Sequence, residues 1–148
     1  MKRHTALLKL SREHYGALKL ARDGKIAALS GDLTAVAALA ARVGEEFAGE
    51  LEPHFREEET GLLPFLAAVG EASLVTRTLA EHGELRALGA ALQQPDAATL
   101  HRFSALLAAH IRFEERTLFE AAQTHGFGTE APSASAGKSP LQAENPSL

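Results

Sequence analysis

The chain has 148 residues, no cysteine, no tryptophan and a formal charge of −4 from 15 basic and 19 acidic side chains. That length suits one domain with a substantial core, and the lack of cysteine excludes disulfides, thiolate metal sites, iron–sulfur clusters and cysteine nucleophiles. The mildly acidic balance, with both signs interspersed, argues against nucleic acid as a main partner.

Alanine and leucine dominate and β-branched residues are few, a composition that favours helix. Met1-Lys2-Arg3-His4 is basic, but few apolar residues follow before Lys9 and Ser11, so it does not read as a signal peptide. No run approaches the ~20 apolar residues of a membrane span, so no membrane association is expected and the expected location is the cytoplasm.

The apolar periodicity predicts a first helix from about Thr5 to Leu29. Leu7, Leu10, Ala17, Leu18 and Ala21 form its stripe, with His14 among them and Ser11 a candidate cap. Ser30-Gly31-Asp32 reads as a turn, Asp32 capping a second helix from about Leu33 to Glu59. Its inward positions are Val36, Leu39, Val43, Phe47 and Leu51, followed by His54 and Glu58. Pro53 removes a backbone donor and predicts a kink or short break. Gly61 and Pro64 should end the helix, with a further short turn to about Ala68 before Gly70.

A third helix is expected from about Ser73 to Leu92, with Val75, Leu79, Leu85 and Leu88 inward around His82. A fourth follows the Asp96 cap to about Gln123, with the stripe Leu100, Phe103, Leu107, His110, Glu114 and Leu118. Residues 1–126 therefore read as one helical domain. Residues 127–148, rich in Ala, Ser, Pro and Gly, read as a disordered tail.

The four segments also form an internal repeat. Glu13-His14 matches Glu81-His82, and His54-x-Arg56-x-Glu58-Glu59 matches His110-x-Arg112-x-Glu114-Glu115. Two such hairpins packed about a pseudo-two-fold axis predict an all-α, up-down four-helix bundle. In each HxxxE, histidine and glutamate share one helix face. An isolated carboxylate in a core is very costly, whereas a dication would neutralise both glutamates and accept the imidazole lone pairs.

His14, His54, Glu58, His82, His110 and Glu114 are too many donors for one tetrahedral zinc. They suit two metals, each with two imidazoles and both bridged by the two carboxylates. Imidazole with carboxylate points to iron ahead of manganese or zinc. Glu115 is an alternative to Glu114, but the repeat favours Glu114. Glu13 and Glu81 are candidates to orient neighbouring imidazoles or are simply exposed charges. Tyr15 could approach the centre, although a packed or exposed role is the expectation. Arg56 and Arg112 read as solvated or as ion-pair partners of the opposite hairpin. Glu57, Glu59, Glu115, His4, His101 and His125 read as surface residues, and Gly83 as a point of close helix approach or metal access.

The succession of lone histidine, HxxxE, lone histidine and HxxxE resembles the hemerythrin-like (HHE cation-binding) family over about residues 5–125. The resemblance implies a non-haem, oxo- and carboxylate-bridged centre of two iron ions that binds O2, NO or peroxide. Oxygen-carrying hemerythrins have HxxxH on the third helix and an aspartate five residues after the last histidine. Here Thr78 and Arg86 flank His82 at that spacing, and Glu115 stands at the aspartate position. The four-histidine, two-glutamate set is closer to the bacterial di-iron proteins linked to iron-centre repair, without their cysteine-bearing segment. The expected roles are sensing, stress protection or iron handling in a monomer or small homo-oligomer. A non-catalytic iron-buffering module is the alternative, and a metal-free structural bundle the third reading.

Overall fold

The computed structural model describes residues 3–129. They form an all-α four-helix bundle, in which the first helix, Thr5–Ala28, packs most extensively on the fourth, residues 97–124. The second helix runs through residues 33–68 and the third is Ala72–Ala91. The turns between them are short, so successive helices reverse direction. Gly31 and Gly70 close two of these turns at φ of 73° and 92°, a conformation that other residues rarely adopt. No helix of the described residues is long and apolar enough to cross a membrane.

The helix starts follow from capping. Asp32 accepts from the backbone N–H groups of Thr34 and Ala35, and Asp96 from that of Thr99. The cap of the first helix differs from the expected Ser11. His4 stands there, its Nδ1 accepting from the Ala6 N–H at 3.0 Å. Ser11 lies inside the helix and donates to Glu115 at 2.7 Å instead.

The second helix neither breaks at Pro53 nor ends at Gly61. It contains two π turns, Phe47–Leu51 and Glu58–Leu62, separated by the α-helical Glu52–Glu57 and followed by Leu63–Ala68. A π turn inserts one residue into the hydrogen-bond ladder and leaves a carbonyl without its α-helical donor. A proline just beyond it, as at Pro53 and Pro64, therefore removes a donor where the ladder is already interrupted. The fourth helix has the repeat-related π turn at Glu114–Leu118, between α-helical Ala97–Phe113 and Phe119–Thr124.

Two apolar clusters fill the bundle. One contains Leu20, Val43, Leu51, Phe55, Leu85, Phe103, Leu107 and Ile111. The other contains Leu7, Leu10, Leu62, Leu66, Leu118 and Phe119. In sequence, each histidine lies between a member of the first cluster and a member or neighbour of the second, so a polar layer divides the core. Two expected core residues face solvent: Leu18 and Leu79 are exposed. Thr78 takes the inward place beside Leu79 and satisfies its hydroxyl by donating to the Leu74 carbonyl at 2.8 Å. Phe127 packs edge-on against Phe65, with ring centroids 5.1 Å apart. The remainder of the expected disordered tail, from residue 130 on, lies outside the described residues.

Candidate metal centre

His14, His54, Glu58, His82, His110 and Glu114 meet in the polar layer, and all six are buried. Their donor atoms form two overlapping groups, His14/His54/Glu58/Glu114 and Glu58/His82/His110/Glu114. Within each group the atoms lie within 4.8 Å of one another. The two glutamates belong to both groups and the histidines divide in pairs. Glu58 sets its oxygens 3.0 Å from His54 Nε2 and 3.0 Å from His82 Nε2. Glu114 sets its own 2.9 Å from His14 Nε2 and 2.9 Å from His110 Nε2.

Each imidazole turns its other nitrogen outward to a glutamate on a different helix. His14 Nδ1 lies 2.6 Å from Glu115, His54 Nδ1 2.8 Å from Glu13, His82 Nδ1 2.7 Å from Glu59 and His110 Nδ1 2.7 Å from Glu81. An Nδ1–H that donates to a carboxylate leaves Nε2 with its lone pair directed into the centre. A cation closes each pair from outside: Arg3 on Glu115, Lys9 on Glu13, Arg86 on Glu59 and Arg77 on Glu81. Partial burial pushes these four outer carboxyls upward, but their imidazole and cationic partners outweigh it and hold all four below the usual range.

The placing of Glu59 and Glu115 corrects the expectation that both are surface residues. The two repeat-related π turns each begin at an inner glutamate, Glu58 or Glu114. Ladder bonds of the i→i+5 type change how consecutive side chains are distributed around the helix. One glutamate enters the centre while the next reaches the lone histidine of another helix. The recurrence of Glu-Glu in both halves was the signal for this in the sequence; the π turn was not visible there. Of the other expectations, Glu13 and Glu81 do orient imidazoles, whereas Tyr15 is 84% exposed. Arg56 pairs within its own helix with Glu52, and Arg112 is exposed. His125 is exposed and meets Glu71 at 3.1 Å, His4 and His101 are half-buried, and Glu57 is exposed and meets Lys9 at 2.7 Å. Gly83 is exposed and has open space at its Cβ position, so it marks no close helix approach.

The electrostatics show what the inner donors lack. Burial and the charge of Glu114 push the Glu58 carboxyl well above its ordinary range. Burial also pushes Glu114 upward, but the histidines around it, His110 foremost, win and hold it well below. Burial lowers His82 and His110, yet Glu114 and its neighbouring carboxylates carry both up to about 9. Two adjacent buried carboxyls thus keep one charge between them and draw protons onto the imidazoles. Even so, Glu58 Oε1 and Oε2, His82 Nε2, His110 Nε2 and Glu114 Oε2 lie 2.9–3.0 Å from facing inner nitrogens or oxygens without hydrogen-bond geometry, and none has a hydrogen-bond partner among the described residues. Buried polar atoms are normally satisfied, and these five converge on one small volume. A cation satisfies them together. The donor set therefore fits a metal.

A helical bundle with buried histidines and glutamates on facing helices defines a class of metal-binding domain. This chain belongs to the hemerythrin HHE cation-binding domain family, whose model matches residues 2–122. Comparison with curated proteins and with solved structures gives no match.

Proposed function

We propose that the chain is a non-haem di-iron protein that binds or reacts with O2, NO or peroxide. His14 and His54 hold one metal position, His82 and His110 the other, and Glu58 and Glu114 bridge them. The observation that carries this reading is the convergence of five unsatisfied buried donor atoms on one volume. Two irons there would supply open coordination positions and electrons for a small oxidant. The chain's own part is to hold the imidazoles in one tautomer through Glu13, Glu59, Glu81 and Glu115, and to keep bulk water out with the two apolar clusters. A cavity of about 340 Å³ reaches His14, His54 and His110 between apolar walls that include Leu20, Leu51 and Phe55, giving a small molecule a way in.

The test is metal content by mass spectrometry on untagged protein, with visible spectra recorded without O2 and then after O2 or NO. Two irons per chain and a spectrum that changes on exposure are expected, and the gas that changes it selects the chemistry. Two irons with no spectral response to any of these oxidants would favour an iron-buffering module. A single zinc, or no metal, would overturn the di-iron reading.

A further inference from the structure

We propose that the two metal positions differ in lability: the His82/His110 position retains its ion, and the His14/His54 position exchanges its ion through the cavity beside Gly16 and Ala17. This rests on the two-metal reading above and goes beyond it, because the six inner donors by themselves treat the positions as equivalent.

The repeat makes the difference visible. Counting from the lone histidines, Gly16 and Ala17 of the first helix correspond to Glu84 and Leu85 of the third, and the cavity lies on the first helix's side. Leu85 is fully buried where Ala17 leaves space. Counting from the HxxxE motifs, Phe55 corresponds to Ile111. Phe55 stacks on His82 with ring centroids 4.0 Å apart and an interplanar angle of 12°, and His82 is not in the cavity wall, so this position meets the cavity through His110 alone, whereas His14 and His54 both line it. His14 has its stacked phenylalanine, Phe119, in the opposite apolar cluster at 5.3 Å. Its side toward the Phe55 cluster is where the cavity lies.

The outer groups add a contrast between His82 and His54 alone, because Glu115 behind His14 is held by the largely buried Arg3 and by Ser11, and Glu81 behind His110 by the exposed Arg77. Arg86 forks onto Glu52 at 2.9 and 3.0 Å and reaches both oxygens of Glu59, so the carboxylate behind His82 is fixed from the side. Lys9, behind the His54 partner Glu13, is 64% exposed and shared with Glu57. A flexible ammonium in water constrains its carboxylate far less than a planar fork does. The cavity wall also carries Glu13, Glu46 and Glu50, whose charge favours passage of a dication.

The experiment loads the full chain with iron(II) without O2 and follows release into excess of a coloured iron(II) chelator. Two phases of about one iron each are expected, separated by about tenfold or more, the range in which outer partners alter metal affinity. Ala17→Leu, which gives the first helix the third helix's residue, should slow the fast phase several-fold and leave the slow phase alone. Gly16→Leu, at an exposed helical position with open space at its Cβ, repeats the test without entering the core. Arg86→Gln should speed the slow phase and leave the fast phase unchanged. Release of both irons in one phase, or a fast phase unmoved by either cavity variant, overturns the inference while the two-metal centre stands. A chain that takes up no iron overturns the centre, and the inference with it.

Discussion

In the first hairpin, residues 5–68, the cation behind Glu13 is the exposed Lys9, and small residues line the first helix beside His14. In the second, residues 72–124, Arg77 lies over the Phe113 ring at 3.9 Å while it holds Glu81, Arg86 grips Glu59, and Leu85 fills the place of Ala17. The inner donors obey the repeat and the packing around them does not. Ligand identity tolerates little change at a metal centre, because charge and lone pairs must balance there. Packing around it can diverge, and here it sets the surroundings of His14 and His54 apart from those of His82 and His110.

The sharpest way to break the equivalence of the inner ring is Glu114→Ala. Glu114 lies within 4 Å of Nε2 of all four histidines, so both metal positions should fail together, read as iron content falling from two to near zero. Removing one partner from a buried charged cluster should also destabilise the metal-free fold by about 3–5 kcal/mol in chemical denaturation. Glu58→Ala should empty the centre as well. If it instead leaves one tightly held iron, the bridging role assigned to Glu58 is wrong.

The next contrast separates the partner of His82 from the partner of His54. Glu59→Gln should weaken metal binding by about 10–100-fold in competition with a chelator, because it loosens His82. Glu13→Gln, backed only by exposed Lys9, should cost less. Equal losses would mean that the outer cations do not matter.

Acid–base behaviour gives a third contrast, between the metal-free and loaded states. His82 and His110 rise from about 6.5 when unfolded to about 9 in the fold. The stability they lend the metal-free chain is complete below about pH 6.5 and is lost as pH climbs through about 9. Melting temperature of the metal-free protein should fall across that window. The loaded protein should hold steady, because the ion replaces the protons and its binding releases them. A metal-free melting temperature that is flat or rising would contradict the assigned environments.

The smallest effect concerns packing alone. A Cβ at Gly24 would run into Ser104 Oγ on the fourth helix, whereas the repeat places Leu92 at the matching point of the third. Gly24→Ala should cost about 1–3 kcal/mol of stability, largely recovered in Gly24→Ala/Ser104→Gly, with metal content unchanged. Loss of metal in the single variant would tie the close contact to the centre.

Much of this molecule is legible in the sequence. Helical periodicity marked four helices, Asp32 and Asp96 marked two of their starts, and the repeated histidines and HxxxE motifs lie on inward faces because helical spacing puts them there. Spacing is a local property, and the chain carries it whatever the fold does. What spacing could not reveal was the behaviour of the backbone at Pro53, Gly61 and Pro64. There the helix continues through π turns. It also could not pair each imidazole with its carboxylate, since every such pair joins two helices. Glu59 and Glu115 look like surface charges on an ideal helix; a wider turn and the approach of another helix make them partners of His82 and His14. The identity and inward placement of the donors were local and belonged to the sequence. Their orientation, their charge and the inequality of their surroundings arise from contacts between helices, and only the tertiary structure decides those.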